Sequence, residues 1–491
     1  MKRAWVSILV LAAGAATAAP LPRSTPEAQG VSPAGILAFI EAADKTVDTM
    51  NSVMIVRHGK VVAEGWWKPY AADAPHSMFS LSKSFTSTAV GIAIAEGKLS
   101  LDDPVLEFFP DLAPANPSEN LKQMRVRDLL IMSTGQLGAD VEKIVPIESP
   151  DAIKAFLEAP VAVKPGTHFL YNSHATFMLS AIVQKTTGQK MVDYLRPRLF
   201  DPLGIENPVW QESAGGISLG GTGLELKTED IARFGLLVLQ KGRWEGRQLV
   251  PAEWIAAATA RQTSTGSAPM SDWDQGYGYQ FWRSRHGFRG DGAFGQFCFV
   301  LPELDATIAI TSGTGNMQAV MNLVWEHLLP AMKPEPLPAN PNDRRKLVER
   351  LASLEVRRAQ GDAKPALDAS LSGKRYSFEP NPTGVTALSV DWRTRPERPL
   401  MKITVQGAEQ QVACSKKEWI GSRVNMGPGE QAAATTCAWK TPDTFTTRLV
   451  LTGAPFYFDM DVRFEGKTAV VSSRLNVNKP GEESRMVGAA N

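Results

Sequence analysis

The alternation of hydrophobic and polar positions predicts strands at both ends of residues 50–330 and helices between them. Two β-rich runs, residues 53–56 and 61–63, flank a short polar turn and therefore predict a hairpin. Residues 297–301 and 306–310 form a second pair of apolar runs, again separated by turn-forming residues. Apolar positions recur at helical spacing between these pairs. We therefore expect an α+β fold in which an antiparallel sheet, assembled from distant segments, is flanked by helices and carries an all-helical subdomain.

Two of the predicted helices have recognisable ends. Residues 80–96 carry apolar side chains three and four positions apart, and the pattern stops at Gly97. Residues 176–187 have a similar pattern that stops at Gly188. Glycine commonly follows a helix because it adopts the left-handed backbone conformation without steric cost. A last helix, at residues 321–329, is expected to close this part of the chain.

The pattern changes near residue 330. Residues 330–342 contain five prolines and predict a stiff linker, and a charged helix is expected at about residues 343–360. From residue 374 onwards, short alternating runs predict five strands, at residues 386–392, 400–405, 444–451, 456–464 and 469–475. We therefore divide the chain into a main domain (19–332), a linker with its charged helix (333–373) and a small C-terminal all-β domain (374–491) of sheet, sandwich or barrel type.

The first eighteen residues have the pattern of a secretory signal peptide. Lys2 and Arg3 precede an apolar stretch at residues 4–13, and the Ala-Thr-Ala sequence at residues 16–18 is a typical cleavage site. The apolar stretch is shorter than the roughly 20 residues that a membrane span needs, although an uncleaved anchor is the alternative. We expect a protein exported to the periplasm or secreted, with no integral membrane segment once residues 1–18 are removed.

The composition excludes several classes of protein and indicates no particular binding partner. The chain has 491 residues, of which 43% are hydrophobic and 21% charged, and these values exclude a disordered or fibrous protein. Its 52 Lys and Arg are balanced by 51 Asp and Glu, so no extended basic surface is predicted for nucleic acid. The six histidines form no metal-spaced pair, and no phosphate-binding glycine motif is present. We therefore expect neither a cofactor nor a metal.

The strongest chemical signal is the tetrapeptide Ser80-Leu81-Ser82-Lys83, which is the only Ser-x-x-Lys in the sequence. On a helix, residues three apart lie on one face about one turn apart, so Lys83 would lie beside the Ser80 hydroxyl. That hydroxyl would also lie at the helix N-terminus, close to unpaired backbone N–H groups. A serine is a poor nucleophile without a neighbouring base, and a lysine whose pKa is lowered by burial can be that base.

The surroundings of this tetrapeptide resemble a known superfamily. The tetrapeptide opens an apolar helix that follows a hairpin, and residues 97–105 and 126–135 look like the segments that come after that helix in these proteins. The chain thus resembles the serine β-lactamase-like superfamily, which includes class C β-lactamases, penicillin-binding proteins, family VIII esterases and 6-aminohexanoate-dimer hydrolases. The resemblance covers about residues 25–335. It implies a β-lactamase/transpeptidase-like serine hydrolase domain at residues 19–332.

A second family motif, Tyr-x-Asn or Tyr-x-Ser, matches Tyr171-Asn172-Ser173. The resemblance implies that Tyr171 lies within reach of Ser80 and Lys83 and moves the proton, as a phenolate beside a protonated lysine. Ser173 would contact the substrate. It stands where penicillin-recognising members usually carry asparagine, which leaves recognition of an amide-type substrate open at this position. The alternative is a core tyrosine in a helix-capping turn.

The third family motif corresponds to residues 292–296, Gly-Ala-Phe-Gly-Gln. Ala293 stands where β-lactamases and peptidoglycan-trimming peptidases carry a cation that holds a substrate carboxylate, and the pattern is instead similar to that of esterases and 6-aminohexanoate-dimer hydrolases. The resemblance implies that the N–H groups of Ser80 and Ala293 form an oxyanion hole, each contributing about 3 kcal/mol to the transition state. It also implies a substrate-binding role for Gly292, Gly295 and Gln296. A glycine-rich strand kink is the alternative.

Two aromatic residues and a second serine complete the set of candidates. Tyr279 and Trp282 are candidates for an apolar wall around the acyl group, with core packing as the alternative. Ser218, in the sequence Gly-Ile-Ser-Leu-Gly, matches the nucleophile elbow of α/β-hydrolases. That elbow requires a buried strand before it and a helix directly after it, and neither is predicted here. We therefore expect Ser80, and not Ser218, to be the nucleophile.

The three cysteines divide into a pair and a single residue. Export permits a disulfide, and a bond between Cys414 and Cys437 would contribute about 3 kcal/mol by restricting the unfolded chain. Two separate buried thiols are an equally good interpretation. Cys298 lies within the apolar run at residues 297–301 and is predicted to be a strand core residue.

Together these motifs predict a serine hydrolase whose substrate is a small-molecule ester or an uncharged amide. A β-lactamase or a D-amino-acid-releasing peptidase is the rival within enzymes. A catalytically silent binding protein with this fold is the rival from another class. The C-terminal domain is open to two roles, which are shaping one wall of the cleft and mediating assembly.

Overall fold

The computed structural model describes residues 19–426, 429–479 and 481–490. The signal peptide predicted at residues 1–18 lies outside the described residues. In the described part of the chain, an antiparallel sheet with helices on both faces precedes a C-terminal barrel-like β domain. This architecture confirms the α+β class and the β-lactamase/transpeptidase-like fold expected from the sequence.

The central sheet of the main domain is antiparallel throughout. Its strands are β1 (Met50–Arg57), β2 (Lys60–Trp66), β3 (Trp282–Arg283), β4 (Phe288–Gly292), β5 (Gln296–Leu301) and β6 (Ala306–Ser312), in the order β2-β1-β6-β5-β4-β3. The predicted hairpin is β1 and β2, and the second predicted pair is β5 and β6. β1 and β6 are paired with each other, so the two ends of the domain meet in the middle of the sheet. All residues of β1, β5 and β6 are buried.

Helices cover both faces of this sheet and form the helical subdomain beside it. The longer helices are α1 (Pro33–Thr46), α2 (Ser82–Ala95), α3 (Ser173–Thr187), α4 (Thr228–Leu239) and α5 (Pro341–Ala352). The shorter ones are Glu119–Gln123, Val126–Leu130, Gly138–Val141, Ala152–Glu158, Met191–Leu195, Asp201–Leu203, Ala252–Thr259, Met317–Leu323 and Leu329–Ala331. Ile36 and Phe39 of α1 are buried against one face of the sheet. Phe85 of α2 and Phe234 of α4 stack in the core on the other face, with ring centroids 3.9 Å apart.

Two small sheets, one of three strands and one of two, lie outside the central sheet. Leu224–Leu226 pairs with both His76–Ser77 and Val209–Trp210, and Arg243–Trp244 pairs with Arg247–Gln248. The first of these pairings holds the segment before Ser80 against the chain that follows Gly221.

The ends of two predicted helices differ from expectation at the N-terminal side only. α2 begins at Ser82 because the residues before it form a tighter 3₁₀ turn, Phe79–Leu81. α3 begins at Ser173, three residues before its predicted start, since Asn172 caps it by accepting a hydrogen bond from the His174 N–H at 2.9 Å. Gly188 ends α3 with φ +70°, as its position in the sequence predicts.

The proline-rich segment runs along the surface of the main domain. Backbone N–H groups of Lys333 and Leu337 donate to the carbonyl groups of Gly30 (2.7 Å) and Glu27 (2.8 Å). The helix predicted at residues 343–360 is the shorter α5, whose Leu347 is buried in the core shared with α1. These contacts fix the start of the C-terminal domain relative to the main domain.

The C-terminal domain is a single antiparallel sheet that curls into a barrel. Its strands are β7 (Tyr376–Phe378), β8 (Val385–Asp391), β9 (Leu400–Val405), β10 (Ala408–Ala413), β11 (Ile420–Asn425), β12 (Glu430–Thr441), β13 (Thr444–Leu451), β14 (Tyr457–Glu465), β15 (Thr468–Leu475) and β16 (Ser484–Ala490), in the order β10-β9-β8-β7-β16-β15-β14-β13-β12-β11. The edge strands β10 and β11 meet through Gln410. Its amide donates to the Asn425 carbonyl (2.6 Å) and accepts from the Asn425 N–H (2.8 Å).

All five predicted strands of this domain are present, but five others were missed. β10 has the sequence Ala-Glu-Gln-Gln-Val-Ala, and most of its side chains are exposed or half-buried. Such a strand has too few apolar positions to produce an alternating signal. The sequence therefore left three architectures possible for this domain, and a barrel was one of them.

The cysteines are arranged as the sequence allowed. Cys414 and Cys437 form a disulfide, with their Cα atoms 5.5 Å apart, and it ties the end of β10 to β12. Cys298 is buried in β5, where burial raises the pKa of its thiol to about 12. A thiol in this environment is a packing residue and not a nucleophile.

Candidate active site

Ser80 lies in the 3₁₀ turn Phe79–Leu81, directly before α2. Phe79 adopts φ +47°, which is uncommon for a residue other than glycine. The Ser82 hydroxyl holds this turn, because it donates to the Phe79 carbonyl (2.6 Å) and accepts from the Leu224 N–H (3.2 Å). Leu81 is buried, whereas Ser80 remains partly exposed. The turn therefore presents the Ser80 hydroxyl to solvent at the rim of the core.

Lys83, in the first turn of α2, is buried beside that hydroxyl. Its Nζ lies 3.0 Å from Ser80 Oγ, 3.0 Å from Ser173 Oγ and 2.7 Å from the Gly221 carbonyl oxygen. The side chain is 1% exposed, and burial lowers the pKa of its amine to about 7. A neutral amine has two N–H groups and one lone pair. Because the Gly221 carbonyl is only an acceptor, the lone pair is free to accept a proton from a hydroxyl.

Tyr171 completes this polar group, although not in the ionised form expected from the resemblance. Its phenol lies close enough to the Ser80 side chain for that group to lower the pKa of Tyr171, and its ring centroid lies 5.0 Å from Lys83 Nζ. Burial, together with the negative charge of Asp291, raises the pKa of Tyr171 above its ordinary value. The phenol is therefore neutral near pH 7, and Lys83, not a Tyr171 phenolate, is the better base in the free protein.

A buried ion pair lies behind the lysine. Arg289 and Asp291 of β4 are joined through Nε and Oδ2 at 2.7 Å, with the arginine fully buried. The Asp291 carboxylate opposes the effect of burial by raising the pKa of Lys83. Arg289 also donates to the carbonyl groups of Asp272 and Arg283 and to the Ser284 hydroxyl. The Nε and Nη1 groups of this arginine are therefore committed to internal contacts, whereas its buried Nη2 has no hydrogen-bond partner among the described residues.

The glycine-rich motif forms the hairpin turn between β4 and β5. The Gln296 amide donates to the carbonyl oxygens of Ala293 (3.1 Å) and Ser312 (2.8 Å), and it thus braces the turn from below. At Gly292 an added Cβ would lie 2.1 Å from the Met78 carbonyl oxygen, so only glycine allows this turn to pack against the chain just before Ser80. Within the described residues, the Ala293 N–H donates to no backbone acceptor.

The C-terminal domain contributes a side chain to this rim. Phe456, in the turn between β13 and β14, has its ring centroid 6.0 Å from that of Phe79 and 5.2 Å from that of Phe294. Phe79 and Phe294 contact each other at 5.3 Å, so the three rings form one cluster. Phe79 precedes Ser80 and Phe294 follows Ala293. The cluster therefore covers the outer side of both residues predicted to hold the oxyanion.

Hydrogen bonds hold that turn on the main domain. The Gly453 carbonyl accepts from the Ser77 N–H (2.9 Å), and the Ala454 carbonyl accepts from the Tyr70 hydroxyl (3.0 Å). On the far side, the Asn476 amide donates to the Gly313 carbonyl at 2.8 Å. The sequence left open whether the C-terminal domain shapes one wall of the cleft. These direct contacts support that role.

The structure brings most of the predicted site residues together, but two of them, Tyr279 and Gln296, have other contacts, and Ser218, which was not expected to be the nucleophile, is buried. Trp282 stacks on Tyr171 with centroids 5.5 Å apart and lies in the wall of the site. Tyr279 instead packs against Trp254 at 5.3 Å, on the helical side of the core. Gln296 is fully buried and holds backbone rather than facing a ligand. Ser218 is 1% exposed, and its hydroxyl has no hydrogen-bond partner in the described part of the chain.

Sequence reasoning missed four contributors to the site. Gly221 lies in the glycine-rich stretch after Ser218, which was set aside as a false nucleophile motif. Arg289 and Asp291 immediately precede the third motif in β4, so their position was a usable signal. Phe456 lies outside the region that resembles the superfamily, and nothing in the local pattern connects it to Ser80.

The described residues contain no cluster of three or more His, Cys, Asp or Glu side chains arranged to hold a metal ion. Within the same residues, no helix combines the length and apolar character required to cross a membrane.

Comparison with known proteins places these motifs in a family. The Beta-lactamase family model matches residues 43–325, more than half of the chain. A 6-aminohexanoate-dimer hydrolase from Paenarthrobacter ureafaciens is 25% identical over 280 residues, which cover 52% of this chain and 71% of that protein. Penicillin-binding protein 4 from Amycolatopsis lactamdurans is 26% identical over 311 residues, covering 55% of this chain and 80% of that protein.

A solved structure from Bacteroides dorei, described as a candidate β-lactamase, is similar in fold with a TM-score of 0.51 and 18% identity. It covers 60% of this chain and 99% of its own chain. Members of the family hydrolyse esters, amides and β-lactams with a serine nucleophile. This chain therefore belongs to the β-lactamase family of serine hydrolases.

Proposed function

We propose that this chain is an exported serine hydrolase that cleaves an ester or an uncharged amide through an acyl-enzyme on Ser80. The observation that carries the proposal is the buried Lys83 amine, 3.0 Å from Ser80 Oγ and with a pKa lowered to about 7. A base with its pKa near the working pH combines a useful neutral fraction with sufficient proton affinity. The lowered pKa leaves a neutral fraction of the lysine near pH 7, and the neutral amine is able to accept the serine proton.

The reaction divides into two steps. As Ser80 Oγ attacks the carbonyl carbon, its proton moves to Lys83 Nζ, and the oxyanion accepts hydrogen bonds from the N–H groups of Ser80 and Ala293. As the tetrahedral intermediate collapses, Tyr171 passes its proton to the leaving alcohol or amine and takes up the proton that Lys83 received, so that Lys83 is neutral again. Water then attacks the acyl carbon and gives a proton to Lys83. This proton returns to Ser80 Oγ when the bond between Ser80 and the acyl group breaks, which releases the acid.

The charge and lining of the site support a neutral, apolar substrate. Ala293 offers no cation for a carboxylate, and Arg289 is fully buried in internal contacts. The walls carry the aromatic rings of Trp282, Phe294 and Phe456. These features favour an apolar acyl or alcohol group over β-lactams and D-alanyl peptides, whose carboxylate would remain unpaired.

Export is part of the proposal. The signal peptide pattern of residues 1–18 supports it, and the Cys414–Cys437 disulfide is compatible with an oxidising compartment. N-terminal sequencing of the protein recovered from the periplasm or medium is expected to begin at Ala19. A protein that keeps its first residue and remains inside the cell would overturn export without affecting the chemistry.

Hydrolysis of p-nitrophenyl butyrate by the mature protein tests the chemistry, with Ser80→Ala and Ser218→Ala as a matched pair. We expect Ser80→Ala alone to lose turnover. If Ser80→Ala keeps its activity and Ser218→Ala loses it, the nucleophile assigned here is wrong. Rapid turnover of nitrocefin with slow ester hydrolysis would instead favour the β-lactamase rival.

A further inference from the structure

The two ends of the C-terminal barrel are filled differently. At one end the interior is packed with aromatic rings, and Trp392 contacts both Trp439 (5.3 Å) and Phe464 (5.1 Å). At the other end the barrel encloses a cavity of about 730 Å³. That volume lies within the range of roughly 300–1,000 Å³ that is typical of small-molecule sites. Aromatic side chains fill one end of the barrel and leave the other end open. The cavity therefore depends on which side chains this sequence places inside the barrel.

The cavity wall consists mainly of aliphatic and thioether side chains. Inward positions alternate along each strand, and the cavity is lined among others by Met401, Ile403, Val405, Leu449, Phe458 and Met460. Ile403, Val405, Phe458 and Met460 are only half-buried although they point into the barrel. These side chains pack against the barrel core on one side and face the cavity on the other. An apolar ligand in the cavity would add contacts on the side that faces open space.

One charged side chain lies in the cavity wall. Arg474 of β15 is the charged residue among the described residues that line the cavity, and it pairs with Asp459 of β14, with 3.6 Å between guanidinium and carboxylate. Other polar groups of the wall are neutral, such as the Thr447 and Ser473 hydroxyls. A single carboxylate at one end of an aliphatic ligand would therefore have one cation near it, whereas a ligand with several charged groups would leave most of them unpaired.

The shape of the cavity favours a chain over a compact ring system. Met401, Ile403 and Val405 are successive inward positions of β9, and four residue steps of a strand correspond to a depth of about 13 Å. The methionines at this level have unbranched, flexible side chains that adapt to a mobile chain. We propose that the hollow end of the barrel binds an unbranched aliphatic chain, such as the acyl chain of a fatty acid or of its ester.

The cavity lies next to the turn that reaches the active site, but ligand binding in the cavity and hydrolysis at Ser80 do not require each other. Leu449 and Phe458 lie opposite each other, on either side of the turn that carries Phe456 to the active site. An aliphatic chain bound here belongs either to the substrate of the hydrolase or to a separate lipid. The proposal requires binding only and does not rest on the proposed hydrolysis.

Calorimetric titration of the full mature chain carrying Ser80→Ala with dodecanoic acid tests binding, since this variant cannot turn over an ester. We expect saturable binding of one molecule per chain. Leu449→Trp and Met460→Trp fill the cavity and are expected to weaken the affinity about tenfold or more. Val487→Trp is the matched control, because Val487 is exposed on the outside of the barrel. No saturable binding, or filled variants that bind as tightly as the Val487→Trp control, would overturn the proposal.

A second measurement uses no substitution inside the barrel, so its result does not depend on whether a variant folds. In protein labelled with ¹³C at the methionine methyl groups, dodecanoate is expected to shift the signals of Met401 and Met460. If those signals are unchanged at saturating dodecanoate, the cavity is not the binding site. With Ser80 intact, a raised KM of Met460→Trp for a dodecanoyl ester but not for a butyryl ester would assign the chain to the substrate. An unchanged KM would assign it to a separate lipid.

Discussion

The proposed catalytic centre and the hollow end of the barrel are built in opposite ways. At the catalytic centre, polar groups are hydrogen-bonded to one another, so that Lys83 alone contacts two hydroxyls and a carbonyl group. In the barrel, mainly apolar side chains line a cavity. The first arrangement fixes one geometry for chemistry, whereas the second leaves space that adapts to a ligand. The two regions meet at a single turn, which carries Phe456 on one side and Phe458 on the other.

The largest effect is expected from Lys83→Met, which removes the base but keeps a side chain of similar length. We expect kcat/KM for p-nitrophenyl butyrate to fall about 10²–10⁴-fold, the usual contribution of general base catalysis. Lys83→Arg is not expected to restore activity, because a guanidinium remains protonated. Lys185→Met, at an exposed position of α3, is the control. Activity retained by Lys83→Met would mean that the polar group around Ser80 does not supply the base.

The next effect concerns the barrel alone. Cys414→Ser together with Cys437→Ser is expected to lower the free energy of unfolding of the barrel by about 3 kcal/mol, because the disulfide no longer restricts the unfolded chain. Denaturant unfolding followed by tryptophan fluorescence measures this change, with Cys298→Ser as the control for loss of a thiol. Hydrolysis of a short ester under native conditions is expected to be unchanged. A parallel loss of activity would show that the two regions are less separable than their packing suggests.

The pH dependence of hydrolysis tests the catalytic centre without a substitution. Burial lowers the pKa of Lys83 to about 7, and only the neutral amine accepts a proton. The value of kcat/KM is therefore expected to rise with pH up to about 7 and to level off above it. It should fall about tenfold for each pH unit below that midpoint. A profile that rises only near or above pH 10 would show that the base is not a lysine with a lowered pKa.

The smallest effects separate the two sides of the shared turn. Phe456→Ala removes a ring from the active-site rim and is expected to lower kcat/KM for butyryl relative to acetyl esters about fivefold, equivalent to about 1 kcal/mol of lost apolar contact. Phe458→Ala, two residues later, changes the cavity and is expected to alter dodecanoate binding while leaving that ratio unchanged. Equal effects of both substitutions on the ester ratio would argue for a general loosening of the turn.

Much of the catalytic centre was readable from the sequence because its parts are local. The three-residue spacing of Ser80 and Lys83 specifies their proximity on one helical turn, and Tyr171 and the motif at residues 292–296 are short contiguous signals. The central sheet was equally readable, since β1, β2, β5 and β6 are strongly apolar runs. Among the barrel strands that were missed, β10 is mostly polar and β7 is only three residues long, so neither produces a strong alternating signal.

The sequence by itself determined the fold class of the main domain, the proximity of Ser80 and Lys83, and the turn that holds Ala293. Only the tertiary structure decided the protonation of that site, because the pKa values of Lys83 and Tyr171 depend on how deeply distant segments bury them. The same holds for the Gly221 carbonyl, for Phe456 and for the cavity in the barrel. Each of these results from contact between residues far apart in the chain, and a local pattern of residue types carries no information about which distant side chain fills or leaves empty a given space.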